Sequence, residues 1–255
     1  MFAHWPLWAS LLLLAGCGFQ TLGVKNLDTL LTLQASRKMD LHSKQKDAIE
    51  VDIDAFLRTQ QAHAPILEQL LKEIDPANPE LFEGQWKRAI AEYRRGARDA
   101  SVVIARHLAR LSVEQRLHFA KTLAQDNEKM AKKGFDRDQM EERVEWFLGE
   151  IRAPQQSAIN THLPVLQARR LVRLQLRQQL RERLVALLEG QAVDKEQLMI
   201  KAFAAYQQAT TDDQGPVLAF YADLVRQLDD KQKRRFEERR GELLEFLKTF
   251  VATKY

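Results

Sequence analysis

Cysteine occurs once in the 255 residues, at Cys17. That excludes an internal disulfide, so a chain of this length must be held together by packing alone. Motifs that carry chemistry are missing too. There is no glycine-rich phosphate loop, no Gly-x-Ser-x-Gly turn and no calcium loop. The histidines are His4, His42, His63, His107, His118 and His162. They form no pair four residues apart and no His-Glu-x-x-His, so no metal site is expected. Carboxylates are plentiful, as in Asp52-Ile53-Asp54 and Glu141-Glu142, but at helical spacing they read as solvated faces, and no catalytic residue is expected. No run of alternating β-branched residues lies between turn signals, which leaves no convincing strand. No apolar stretch approaches the roughly 20 residues of a membrane-spanning helix. The net charge of +4 is too modest to demand nucleic acid, and none is expected as a partner.

What the chain does have begins at its amino end. Leu11-Leu12-Leu13-Leu14-Ala15-Gly16-Cys17 is a short apolar run that closes on two small residues and the cysteine. This is the lipobox pattern of bacterial lipoproteins. Residues 1–16 then read as a signal peptide, with no Lys or Arg in residues 1–10. Cys17 becomes the first residue of the mature chain, carrying thioether-linked diacylglycerol and an N-acyl chain; no other cofactor is expected. One acyl chain holds a protein only marginally, at about 0.8 kcal/mol per buried methylene, so two or three are needed. Gly18 stands where an aspartate favours inner-membrane retention, which points to the outer membrane, facing the periplasm. Residues 17–24 read as a lipidated tether.

Helical periodicity dominates residues 25–255. The full chain is 45% hydrophobic and 29% charged, and residues 25–255 read as all-α, an elongated multi-helix bundle of about eight to ten helices. The expected helices cover 25–35, 43–74 with a bend at Pro65, 80–110, 113–133, 137–152, 165–189, 195–210, 217–227 and 230–252. Breaks around Pro154 and near His162-Leu163-Pro164 make 154–164 the best place for a subdivision.

A weak repeat runs through these helices: an apolar residue, a capping residue, two variable positions, then Gln. It occurs as Leu111-Ser112-Val113-Glu114-Gln115, Phe135-Asp136-Arg137-Asp138-Gln139, Val193-Asp194-Lys195-Glu196-Gln197 and Leu228-Asp229-Asp230-Lys231-Gln232. A degenerate copy is Leu41-His42-Ser43-Lys44-Gln45. Physically it is a capping box. The Ser or Asp accepts from a first-turn amide, and the glutamine reaches back to the cap's own amide. Phe135 with Met140, and Val193 with Leu198, add apolar staples.

Two segments carry a resemblance. Lys25 to Leu31, Met39 to Gln45 and Ile53 to Leu57 form one; Leu111 to Gln115, Asp126-Asn127-Glu128 and Arg143 to Gly149 form the other. The sequence resembles an uncharacterised family of bacterial lipoproteins, which implies an all-α lipoprotein and no particular activity. Members often end the first long helix with a Trp-His pair, where this chain has Thr59-Gln60 with His63 nearby. More weakly, the Leu-x-x-x-Gln copies are similar to the Leu-Thr-x-x-Gln motifs of small periplasmic stress chaperones, which are cradle-shaped helical dimers.

The most unusual helix runs from Ala168 to Leu184, with Arg169, Arg170, Arg173, Arg177, Arg181 and Arg183 against a single glutamate. Leu171, Leu174, Leu180, Leu184 and Leu187 are expected to share its buried face. The bland reading is a core helix whose arginine stems cover apolar surface. The functional reading is a basic surface for anionic lipid, envelope polymer or client protein. The expectation is therefore a membrane-tethered, non-catalytic binding, scaffold or chaperone-like protein; the alternative is an enzyme acting on an envelope polymer through helix-borne carboxylates.

Overall fold

The computed structural model describes residues 20–75, 78–132, 134–212 and 214–255. Cys17, the signal segment and the start of the tether lie outside them. Among the described residues there are ten helices and no strand, an all-α bundle. They are α1 Gln20–Lys25, α2 Leu27–Met39, α3 Ser43–Glu73, α4 Pro79–Leu108, α5 Val113–Lys132, α6 Arg137–Leu148, α7 Ala153–Glu189, α8 Lys195–Thr211, α9 Gly215–Val225 and α10 Asp230–Ala252.

Local chemistry sets several of these boundaries. Asp40, in the left-handed region at φ 52°, ends α2, and Gly149, at φ 77°, ends α6. Pro79, Pro154 and Pro216 sit in first turns, where the missing N–H costs nothing. Two expectations are corrected. Residues 20–24 are not loose tether but part of α1, and Val24 is buried. The break near His162-Leu163-Pro164 is absent, because α7 runs unbroken from Ala153 to Glu189 with Pro164 inside it. Pro164 is exposed.

Packing repeats itself along the chain. In the first half, α3 packs on α2 and α4, and α2 on α5. In the second, α7 packs on α6, α8 and α9, and α6 on α10. The halves interlock: α5 lies on α7, α10 lies on α3, and α4 meets α8 and α9. The second half thus copies the first, with the single helix α4 answered by the pair α8 and α9.

Apolar burial forms two cores. The larger gathers Leu27, Ile49, Leu57, Leu108, Phe119, Met199 and Phe250 with the end of α7, Leu180, Leu184 and Leu188. The smaller gathers Met140, Val144, Phe220 and Leu224 with the start of α7, Ile159, Leu163 and Leu166. At about 1.5 Å per residue α7 is roughly 55 Å long, enough to run through both. Residues 167–179 of α7 belong to neither.

Candidate functional site

The glutamine boxes do more than start helices. Gln115, Gln155 and Gln232 are at most 2% exposed. Each glutamine Oε1 accepts from the amide of its own cap: His42 to Gln45, Ser112 to Gln115, Arg152 to Gln155 and Asp229 to Gln232. The side chains then pair across helices. Gln45 and Gln115 exchange bonds of 3.1 and 2.6 Å; Gln155 and Gln232 exchange two of 3.2 Å. Spare amide hydrogens go to the carbonyls of Asp40, Gln227 and Glu150. Each half of the molecule is therefore stapled by one glutamine pair joining the starts of two helices. The box at Ile151-Arg152-Ala153-Pro154-Gln155 escapes a sequence search that demands a capping residue, although its apolar-to-Gln spacing is the same as in the other copies. The box expected at Asp194 does not form: Asp194 makes no cap bond, and Val193 is 98% exposed and staples nothing. At Asp136 the cap accepts from Gln139, and Phe135 packs in the core that holds Met140.

Histidine–aspartate pairs repeat with the halves. His107 on α4 meets Asp52 on α3 at 2.9 Å, and His162 on α7 meets Asp223 on α9 at 2.7 Å. Asp52 and His162 each lie seven residues after a box glutamine. Burial alone would push the Asp52 carboxyl up, but hydrogen bonds from Arg106 and His107, with their charges, hold it below its ordinary value of 3.8. A depressed native value adds stability that is complete above the unfolded value and is lost as pH falls through the native one. Asp52→Asn should therefore lower the melting temperature at pH 6, with the difference from wild type shrinking steadily below about pH 4. A constant difference down to pH 2 would contradict this.

Every described carboxylate with a displaced ionisation, Asp52, Glu68, Glu73, Glu114 and Glu141, moves toward the charged form. Among the described residues no group of three or more His, Cys, Asp or Glu is placed to hold a metal. The site that stands out is cationic.

It lies on the stretch of α7 between the two cores. With about 100° per residue, Leu166, Arg170, Arg173, Arg177, Leu180, Leu184 and Leu188 form one face, at spacings of four, three, four, three, four and four. The leucines at either end enter the smaller and the larger core. The middle of the inward face is arginine. The expected apolar stripe is accordingly corrected at Leu171, which is 62% exposed, because the arginines take the inward azimuth there.

Three of the six arginines share this azimuth. Arg170 donates to the Met130 carbonyl, and Arg177 donates through Nε to Asn127 Oδ1 at 2.6 Å. Arg173 stands at the same azimuth; it is exposed and makes no hydrogen bond or ion pair among the described residues. None of the three has a carboxylate partner there. Arg143 on α6, unmarked in the sequence, stacks over the Phe135 ring at 5.2 Å, and its charge bears on Arg170. Arg170 is half-buried, and burial first and the Arg143 charge second disfavour its ionised form. Two tyrosines sense these charges. Burial pushes up Tyr93, with Tyr206 adding and Arg173 opposing; burial pushes up Tyr221, with Arg143 opposing. Their hydroxyls therefore stay protonated and able to donate. The other arginines lie elsewhere. Arg169 is half-buried and partnered. Arg181 faces Glu182 at 4.0 Å and lines a shallow depression of about 370 Å³ with Ala120, Val185 and Glu189. Arg183 is exposed on the outer side, in line with Val165 and Val172.

Comparison with family models, curated proteins and solved structures gives no match to this chain.

Proposed function

We propose that this is a lipid-anchored, periplasm-facing envelope protein that binds an anionic partner non-catalytically in the gap between its two cores. The observation that carries the reading is the run Arg170, Arg173 and Arg177 on the inward face of α7, with no acid to neutralise it among the described residues. Such a cluster costs stability through mutual repulsion unless a partner supplies negative charge. Guanidinium groups offer donors and no acceptor and keep their proton, so the gap suits binding rather than proton transfer. The repetition of packing between the halves supports a chaperone-like form of this reading, since the stress chaperones with similar motifs are dimers. The lipobox supports the anchor.

Two measurements test it. Binding to anionic liposomes and to an acidic unfolded protein should weaken at least tenfold when Arg170, Arg173 and Arg177 are changed to Gln; unchanged binding at low salt removes the gap as the site. Cys17→Ser should abolish acyl labelling and move the protein from the membrane to the soluble periplasmic fraction. A native protein whose mass shows an unmodified amino end starting at Met1 removes the anchor.

A further inference from the structure

We infer that the gap is a phosphate site, built for a ligand that carries two or more phosphate groups; this rests on the gap being an anion site at all. The argument is one of charge density. Three guanidinium groups, Arg170, Arg173 and Arg177, lie on the face of α7 that meets the gap. The three on α7 span seven residues, about 10 Å at 1.5 Å per residue. An extended acidic peptide advances about 3.3 Å per residue and turns alternate side chains one way, so it brings about two carboxylates to that length. That leaves roughly a third of the positive charge unmet. Each phosphate carries about −1.5 to −2, so two on one molecule match the three arginines within the same span.

The residue choice agrees. α7 contains six arginines and no lysine. Only the guanidinium offers a planar fork that grips phosphate oxygens bidentately. Donors remain free for it. Arg170 has spent one of its five N–H groups on Met130 and Arg177 one on Asn127, while Arg173 has spent none among the described residues. The intramolecular bonds fix the first and last guanidinium groups in place, so less side-chain freedom is lost when a ligand arrives.

The test uses the full chain in detergent at fixed ionic strength, with calorimetric titration of inorganic tripolyphosphate and of triglutamate. Tripolyphosphate should bind at least tenfold more tightly than triglutamate. The Arg170, Arg173 and Arg177 to Gln variant should lose at least tenfold. Arg173→Gln alone, which breaks no bond within the described protein and so leaves the fold intact, should lose at least threefold. A second arm uses vesicles containing phosphatidic acid against purely zwitterionic vesicles. Binding to the former that tripolyphosphate displaces supports the proposal and assigns the phosphate to a lipid headgroup. Tripolyphosphate binding without vesicle binding supports it and assigns a free phosphate compound. Equal or tighter binding of triglutamate overturns the phosphate inference and leaves the anion site standing. No binding of any anion, with the variants unchanged, overturns both.

Discussion

Phe250→Ala should lower the unfolding free energy by about 3–5 kcal/mol, the usual cost of emptying a phenylalanine site in a closed core. Phe250 has no solvent exposure and sits where α10 closes over α3 and α1. Its ring lies 5.8 Å from that of Tyr255, and its carbonyl accepts from Gln61 Nε2 at 2.6 Å. The larger core draws on helices from both halves, so the cavity cannot collapse by moving one helix alone. In a protein of this size each kcal/mol is worth about 2–4 °C, which predicts a fall in melting temperature of roughly 6–20 °C. Val251→Ala, next in sequence but 49% exposed, should stay within about 0.5 kcal/mol. Paired urea and thermal unfolding curves of the two variants check this. A loss below about 1 kcal/mol for Phe250→Ala would mean that α10 does not close the larger core.

The second large effect concerns the glutamine pairs. Gln155→Ala strips the Arg152 amide of its acceptor, the Gln227 carbonyl of its donor and Gln232 of one partner. A buried group left unmet, as on Gln232, costs about 1–3 kcal/mol; Arg152 and Gln227 are exposed residues and recover part of their loss from water, so with the emptied side-chain space a net loss of about 2–4 kcal/mol is expected. Gln232→Ala should behave alike, since it serves Asp229 and Glu150 in the same way. The double variant should lose less than the sum, because the bond between the two side chains is removed by either change. A coupling of about 1–2 kcal/mol lies within the range for groups in one hydrogen-bonded network. Gln197→Ala, whose glutamine is exposed, should be nearly silent. Strict additivity would show that the reciprocal bonds carry no stability.

The same glutamines show how far the sequence could be read. The helices were legible because apolar periodicity and caps are local, and most boundaries fall within a few residues of expectation. The pairing of Gln45 with Gln115 and of Gln155 with Gln232 was not, because a box glutamine has the same sequence signature whether it faces water, as Gln197 does, or another glutamine seventy or more residues away. Pro164 misled for a related reason: a proline lowers helix propensity locally, and here packing of α7 at both ends overrides it. On the basic helix, the arginines were visible but their direction was not. Leu171 and Arg170 differ by one position, and only the placement of the two cores decides which of them faces inward. Arg143 gave no signal at all, since Glu141-Glu142-Arg143 reads as an ordinary charged turn of helix.

One further contact ties Tyr255 to the first described helix. The Tyr255 hydroxyl donates to the Val24 carbonyl at 2.6 Å, and the Arg58 guanidinium donates to the Tyr255 carbonyl at 2.7 Å. Burial, with the nearby Asp28 charge adding, raises the Tyr255 hydroxyl to about 12, so it keeps its proton under any physiological condition. A load applied to α1 at Val24 would therefore pass to Tyr255. From there it would be shared with Arg58 on α3 and with α10, which Tyr255 follows, and so run sideways across two long helices.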